Sequence, residues 1–120
     1  MMNDAEKILK EAGIKTIHLV DAPGAFEIPL LAQNLIATKE VDGVIALAVI
    51  LEGETSHAEM IVQSTVQALM DLQLKTGVPV INELVHTNET CIAKQRSETV
   101  GSIGAKTLLH VLNQHAKIKE

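Results

Sequence analysis

His57 closes the run Gly53-Glu54-Thr55-Ser56-His57, which joins an apolar stretch, Val44–Leu51, to a segment with helical spacing. Thr55 or Ser56 can cap that helix, and Ser56 with Glu59 fits a capping box. A helix start turns free backbone N–H groups outward and attracts phosphate. Its positive end also disfavours imidazolium, which leaves a neutral imidazole able to take a proton. The alternative is a solvated histidine beside an ordinary cap, and spacing alone leaves both open. Gly24, in Asp21-Ala22-Pro23-Gly24-Ala25-Phe26-Glu27, either brings backbone close to a ligand or makes a turn. Arg96 can grip a phosphate as a bidentate fork, or it is a solvated helix charge. His86 and Cys91 are near in sequence, but no further ligand or orienting residue completes a metal site or a Cys–His pair. His18, His110 and His115 read as surface or edge residues. Asn88-Glu89-Thr90 matches a glycosylation acceptor, which matters only in a secreted chain.

The elements that must position these groups follow from periodicity. Asn3–Ala12 reads as a helix capped by Asn3 or Asp4, with Ala5, Ile8, Leu9 and Ala12 on one face and Gly13 as its stop. Lys15–Val20 alternates and is β-branched, which predicts a strand. Asp21–Gly24 is a turn, and Ala25–Lys39 a helix that tolerates Pro29 only near its first turn. Asp42–Ile50 carries a nearly continuous apolar run, the mark of a strand buried on both faces. Ser56–Lys75 is a long helix with Met60, Ile61, Ser64, Ala68, Leu69 and Leu72 on one face, ended by Gly77 and Pro79. Pro79–Val85 is a third strand. Asn88–Ser97 and Ser102–Lys117 are further helices divided by Thr99–Gly104. Strands alternating with helices predict an α/β domain with a parallel sheet, and no linker or repeat divides residues 1–120. In such sheets ligands bind beyond the carboxyl ends of the strands. The segments around Gly24, His57 and Thr87 all lie at such ends.

Bulk properties narrow the function. At 47% apolar residues the chain can bury a core, but with one Phe and no Trp or Tyr that core is aliphatic. A net charge of −5 argues against a nucleic-acid partner held on a broad basic face. One cysteine rules out an internal disulfide framework. No run approaches the ~18–20 apolar residues of a membrane span, and the charged start is unlike a signal peptide. The expectation is a cytoplasmic protein with no membrane partner.

Taken together, the segments "APGAFEIPL", "ALAVILEGETSH" and "TGVPVI", with Arg96 17 residues after Pro79, resemble the 6,7-dimethyl-8-ribityllumazine synthases. The likeness runs without a gap from Asp21 to Arg96 and less cleanly to the C-terminus. It implies a three-layer, flavodoxin-like parallel sheet flanked by helices. It implies a transferase of riboflavin biosynthesis that condenses 5-amino-6-(D-ribitylamino)uracil with 3,4-dihydroxy-2-butanone 4-phosphate, without metal or organic cofactor. It implies a homo-oligomer: a pentamer or a multiple of it, up to a 60-subunit shell. Carried over onto this chain, Ala25, Phe26 and Glu27 match the stretch holding the ribityl chain and uracil. Val49, Ile50 and Leu51 match the strand end along the pyrimidine. Glu54 and Thr55 match the phosphate-binding turn, His57 the proton-transfer histidine, and Arg96 a phosphate-binding arginine supplied by a neighbouring subunit.

Three departures shape the expectation. The family has a further strand and a ring-stacking aromatic before its first helix, and this chain starts in that helix. A strand absent from between Lys15–Val20 and Asp42–Ile50 leaves unpaired backbone and a gap in the core. Asn82 stands where the family usually places an aromatic that packs against the substrate ring from the adjacent subunit; with both aromatics absent, stacking worth ~1–3 kcal/mol each is lost. Ile103 replaces a lysine common just before the helix glycine, which lowers phosphate affinity. A second reading is therefore a weakly active or inactive family member acting as an assembly subunit. A third, a flavodoxin-like phosphate-binding or signalling domain, fits poorly, since no acidic cluster follows an N-terminal strand.

Overall fold

The computed structural model describes residues 1–51 and 57–120. Helix α1 spans Met2–Glu11 and α2 spans Ile28–Lys39, preceded by a single 3-10 turn at Ala25–Glu27. Strand β1 spans Val44–Leu51, α3 His57–Thr76 and β2 Val80–Thr87. Two helices follow, α4 at Thr90–Ser97 and α5 at Val100–Ile118. The helix expected over Ala25–Lys39 is thus split, and Pro29 falls in the first turn of its α-helical part, where a missing N–H costs nothing.

The sheet among the described residues has two strands, β1 and β2. They pair in parallel from Val44 against Val80 to Leu51 against Thr87, with α3 as the crossover. Apolar side chains fill both faces. On one, Ala32 of α2, Val44 and Ala46 of β1, Leu69 and Leu72 of α3 and Val80 of β2 form a buried cluster. On the other, Ala5 and Leu9 of α1 and Ala105 of α5 pack with Ile45 and Leu47. Helices therefore cover the sheet on both sides, which makes the three-layer, flavodoxin-like α/β arrangement.

Glycines set how closely these layers approach. A Cβ on Gly104 would lie 2.9 Å from Glu83 Cγ and 3.0 Å from Ile45 Cγ2, so α5 sits directly on the strands. Gly13 and Gly77, at φ +93° and +73°, stop α1 and α3 in the left-handed region that favours glycine. After α3 the chain is tied down by side chains. The Gln73 Oε1 accepts from the Val80 N–H at 2.7 Å, which fixes the first residue of β2.

Several expectations are corrected. Lys15–Val20 is not a strand. No backbone hydrogen bond joins it to β1 among the described residues, and only Ile17 of this stretch turns inward. Alternation and β-branching make a strand only where a neighbour supplies the ladder, and none stands beside it. Neither Asn3 nor Asp4 caps α1, which starts from Met1 without a side-chain cap. Helix α4 begins at Thr90 rather than Asn88, and α5 at Val100 rather than Ser102. Thr99–Gly104 therefore does not divide the helices, because its glycines lie buried within α5. On α3, Leu69 and Leu72 are buried as expected, but Met60 and Ser64 are exposed and Thr65 completes the buried stripe.

Candidate active site

Because β1 and β2 are parallel, their carboxyl ends open on one side of the sheet. Val49, Ile50 and Leu51 form that end of β1; the first two are half-buried and Leu51 is exposed. The 3-10 turn Ala25–Glu27 is brought alongside by α3. Its Ala25 carbonyl accepts a 3.4 Å hydrogen bond from the Thr65 hydroxyl, itself buried. Ala25, Val49 and Ile50 line one cavity of about 360 Å³ with Gly24 at its margin. Gly24 is in extended backbone at φ −163°, which any residue adopts, and a Cβ there would lie 3.1 Å from Glu27 Oε2. Phe26 and Glu27 are exposed and do not line that cavity, Phe26 at 67% of its surface.

His57 is the first residue of α3, six positions after the last residue of β1, and is exposed. It therefore occupies the strand-to-helix switch that its sequence context predicted. Glu54, Thr55 and Ser56, with the capping box and the phosphate-binding turn read into them, lie outside the described residues.

Asn82 and Arg96 lie apart from that cavity. The Asn82 side chain turns back on its own strand, where Oδ1 accepts the Leu84 N–H at 3.1 Å. Arg96, exposed in the last turn of α4, instead faces Glu83 of β2. Burial raises the Glu83 carboxyl above the ordinary range, and the Arg96 guanidinium partly offsets the rise. Sequence reasoning passed over Glu83, although an acidic residue inside the apolar run Pro79–Val85 was a visible signal. Cys91 is exposed, and no group of three or more His, Cys, Asp and Glu among the described residues is placed to hold a metal ion. No helix among them is long and apolar enough to cross a membrane.

Fold and site together define a class: a flavodoxin-like α/β protein with a pocket at the carboxyl end of its parallel strands and a histidine at the adjoining helix start. The comparisons make this specific. The family model of 6,7-dimethyl-8-ribityllumazine synthase matches residues 1–117, and the chain belongs to that family. It is 30% identical over 122 residues to a 6,7-dimethyl-8-ribityllumazine synthase of Limosilactobacillus reuteri, covering 98% of this chain and 80% of the relative. It is 31% identical over 116 residues to one of Nitrosospira multiformis, covering 96% and 72%. It is 29% identical over 123 residues to one of Pyrococcus furiosus, covering 100% and 78%.

Proposed function

We propose that this chain makes 6,7-dimethyl-8-ribityllumazine by condensing 5-amino-6-(D-ribitylamino)uracil with 3,4-dihydroxy-2-butanone 4-phosphate. The observation that carries the reading is the family match across residues 1–117 in a chain that keeps His57 at the head of α3, next in sequence to the strand end lining the pocket. The uracil amine attacks the ketone and water leaves to give an imine. Proton transfers then eliminate inorganic phosphate, and ring closure releases a second water. Such a sequence needs a base, positioning and a phosphate site rather than a cofactor. His57 moves the protons. Ala25, Phe26 and Glu27 hold the ribityl chain and uracil, Val49, Ile50 and Leu51 flank the ring, and Asn82 of a neighbouring copy meets it without an aromatic face. Glu54 and Thr55 hold the phosphate on one side.

Arg96 does not share the cavity of Ala25, Val49 and Ile50 within one chain. That separation supports a site completed by Arg96 of a neighbouring copy, in a homopentamer or a multiple of it. Residues 1–120 act as one domain in the cytoplasm. The test is an absorbance assay for the lumazine with both substrates, run beside the Limosilactobacillus reuteri relative, with sedimentation velocity on the same sample. Lumazine formed by a pentamer or larger species is the expected result. An assembled but inactive chain would refute the enzymatic reading, and a monomer that turns over would refute the shared site.

A further inference from the structure

Thr65 directs its hydroxyl proton across the fold. A threonine inside a helix can return that proton to the carbonyl four residues back on its own helix, and Thr38 of α2 and Thr76 of α3 do so at 2.6 and 2.7 Å. Thr65 of α3 instead reaches the Ala25 carbonyl, 40 positions back in sequence. Thr65 is 2% exposed and shares its α3 face with Leu69 and Leu72 of the apolar cluster. A valine has the same shape and would fill that place with no polar group to bury. An oxygen there costs desolvation, and what it gains is a grip on the turn Ala25–Glu27. That turn is otherwise closed by backbone alone. The Glu27 N–H donates to the Gly24 carbonyl at 3.2 Å, and the Ile28 N–H donates to the Ala25 carbonyl. Among the described residues, the hydrogen bond of Thr65 is the one that ties the turn to α3.

The Ala25 carbonyl thus has two donors, one for each lone pair. The Ile28 N–H keeps the local shape of the turn, and the Thr65 hydroxyl fixes where the turn stands against α3. Losing the hydroxyl therefore leaves the 3-10 turn formed but frees it to shift at the cavity of about 360 Å³ that Ala25 and Ile28 line. Thr65 does not line that cavity, so it acts through Ala25. The helix that carries Thr65 also carries His57 at its head, so one element mounts both the base and the turn. We infer that Thr65 is a positioning residue, which sets the turn Ala25–Glu27 against His57 so that the ribityl chain and uracil are held in register for proton transfer. The inference rests on the substrate assignment proposed above for that turn. Arg96 lies apart from the cavity, so the effect falls on ribitylaminouracil and spares the phosphorylated ketone.

The test compares Thr65→Val, which removes the hydroxyl and keeps the shape, with Thr65→Ser, which keeps the hydroxyl and removes a methyl. Steady-state kinetics with each substrate varied in turn is expected to show the KM for ribitylaminouracil raised about fivefold in Thr65→Val, the factor that one neutral hydrogen bond supplies. The KM for the phosphorylated ketone stays at the parent value, and Thr65→Ser restores both. Titration with 6,7-dimethyl-8-ribityllumazine, followed by its fluorescence, makes the same comparison without turnover and decides alone where the parent binds but does not react. Hydrogen exchange reads the turn directly: the Glu27 and Ile28 amides exchange faster in Thr65→Val than in the parent or Thr65→Ser, while those of Val44–Leu51 keep the parent rate. A parent that neither forms nor binds the lumazine would overturn the substrate assignment, and this inference with it. With a parent that binds, a Thr65→Val chain equal to the parent in affinity or in exchange at the turn would overturn this inference alone. So would a Thr65→Ser chain as impaired as Thr65→Val, which would make methyl packing the cause. A rise in both KM values together, or a Thr65→Val chain without helical circular dichroism, would reduce Thr65 to a residue of the fold.

Discussion

Gly104→Ala tests the closeness of α5 to the sheet in a way that sets two known effects against each other. In an open helix the change stabilises by about 1 kcal/mol, because alanine gives up less backbone freedom. Here the new methyl would lie 2.9 Å from Glu83 Cγ and 3.0 Å from Ile45 Cγ2, inside the ~3.5–4.0 Å of a favourable carbon contact. The Glu83 side chain can swing away. Ile45 cannot: it is β-branched, paired with Ile81 in the ladder and packed against the cluster of α1 and α5. Overpacking of a filled interior costs about 1–3 kcal/mol, and a neighbour that cannot yield puts this site in the upper part of that range. The net expectation is a loss of about 1 kcal/mol. With no Trp or Tyr in the chain, urea unfolding is followed by far-UV circular dichroism. For a slope near 2 kcal/mol per molar urea the midpoint falls by about 0.5 M. A midpoint that rises would mean that the helix-propensity gain acts alone and that α5 does not touch β1 at Gly104.

Glu83→Gln removes a carboxylate that burial disfavours. Because the folded chain holds that proton more tightly than the unfolded chain, the penalty is absent below the ordinary carboxylate range and present above the raised value. The variant should melt higher than the parent at pH 7, with the difference shrinking as pH falls through the carboxylate range. A pH-independent difference would rule out burial as the cause. His57→Ala should cut lumazine formation strongly while changing stability by no more than about 0.5 kcal/mol, since the side chain is exposed; unchanged turnover would remove His57 from proton transfer. Arg96→Ala should raise the KM for the phosphorylated ketone and leave that for the ribitylaminouracil in place, which steady-state kinetics with each substrate varied in turn would decide.

The sequence by itself determined most of the helices and the two paired strands. Glycine stops at Gly13 and Gly77, the proline at Pro29 and the apolar run before Gly53 each act within a few residues, so their consequences survive any tertiary context. The placement of His57 at a strand-to-helix switch was legible for the same reason. What sequence left undecided was everything that depends on a partner across the fold. Lys15–Val20 carries strand chemistry, yet no ladder reaches it, because pairing requires a neighbour at about 4.8 Å and the adjoining place is a cavity. Helix α2 ends at Glu40 in the left-handed region, φ +52°, with no glycine to announce it. The buried stripe of α3 passes through Thr65 rather than Met60, because the Thr65 hydroxyl finds the Ala25 carbonyl only after the 3-10 turn has docked. Glu83 and Arg96, 13 positions apart, become electrostatic neighbours only when α4 folds back on β2. Local backbone preferences are written residue by residue. Strand pairing, burial and the environment of a charge belong to pairs of elements, and only the tertiary structure supplies the second member.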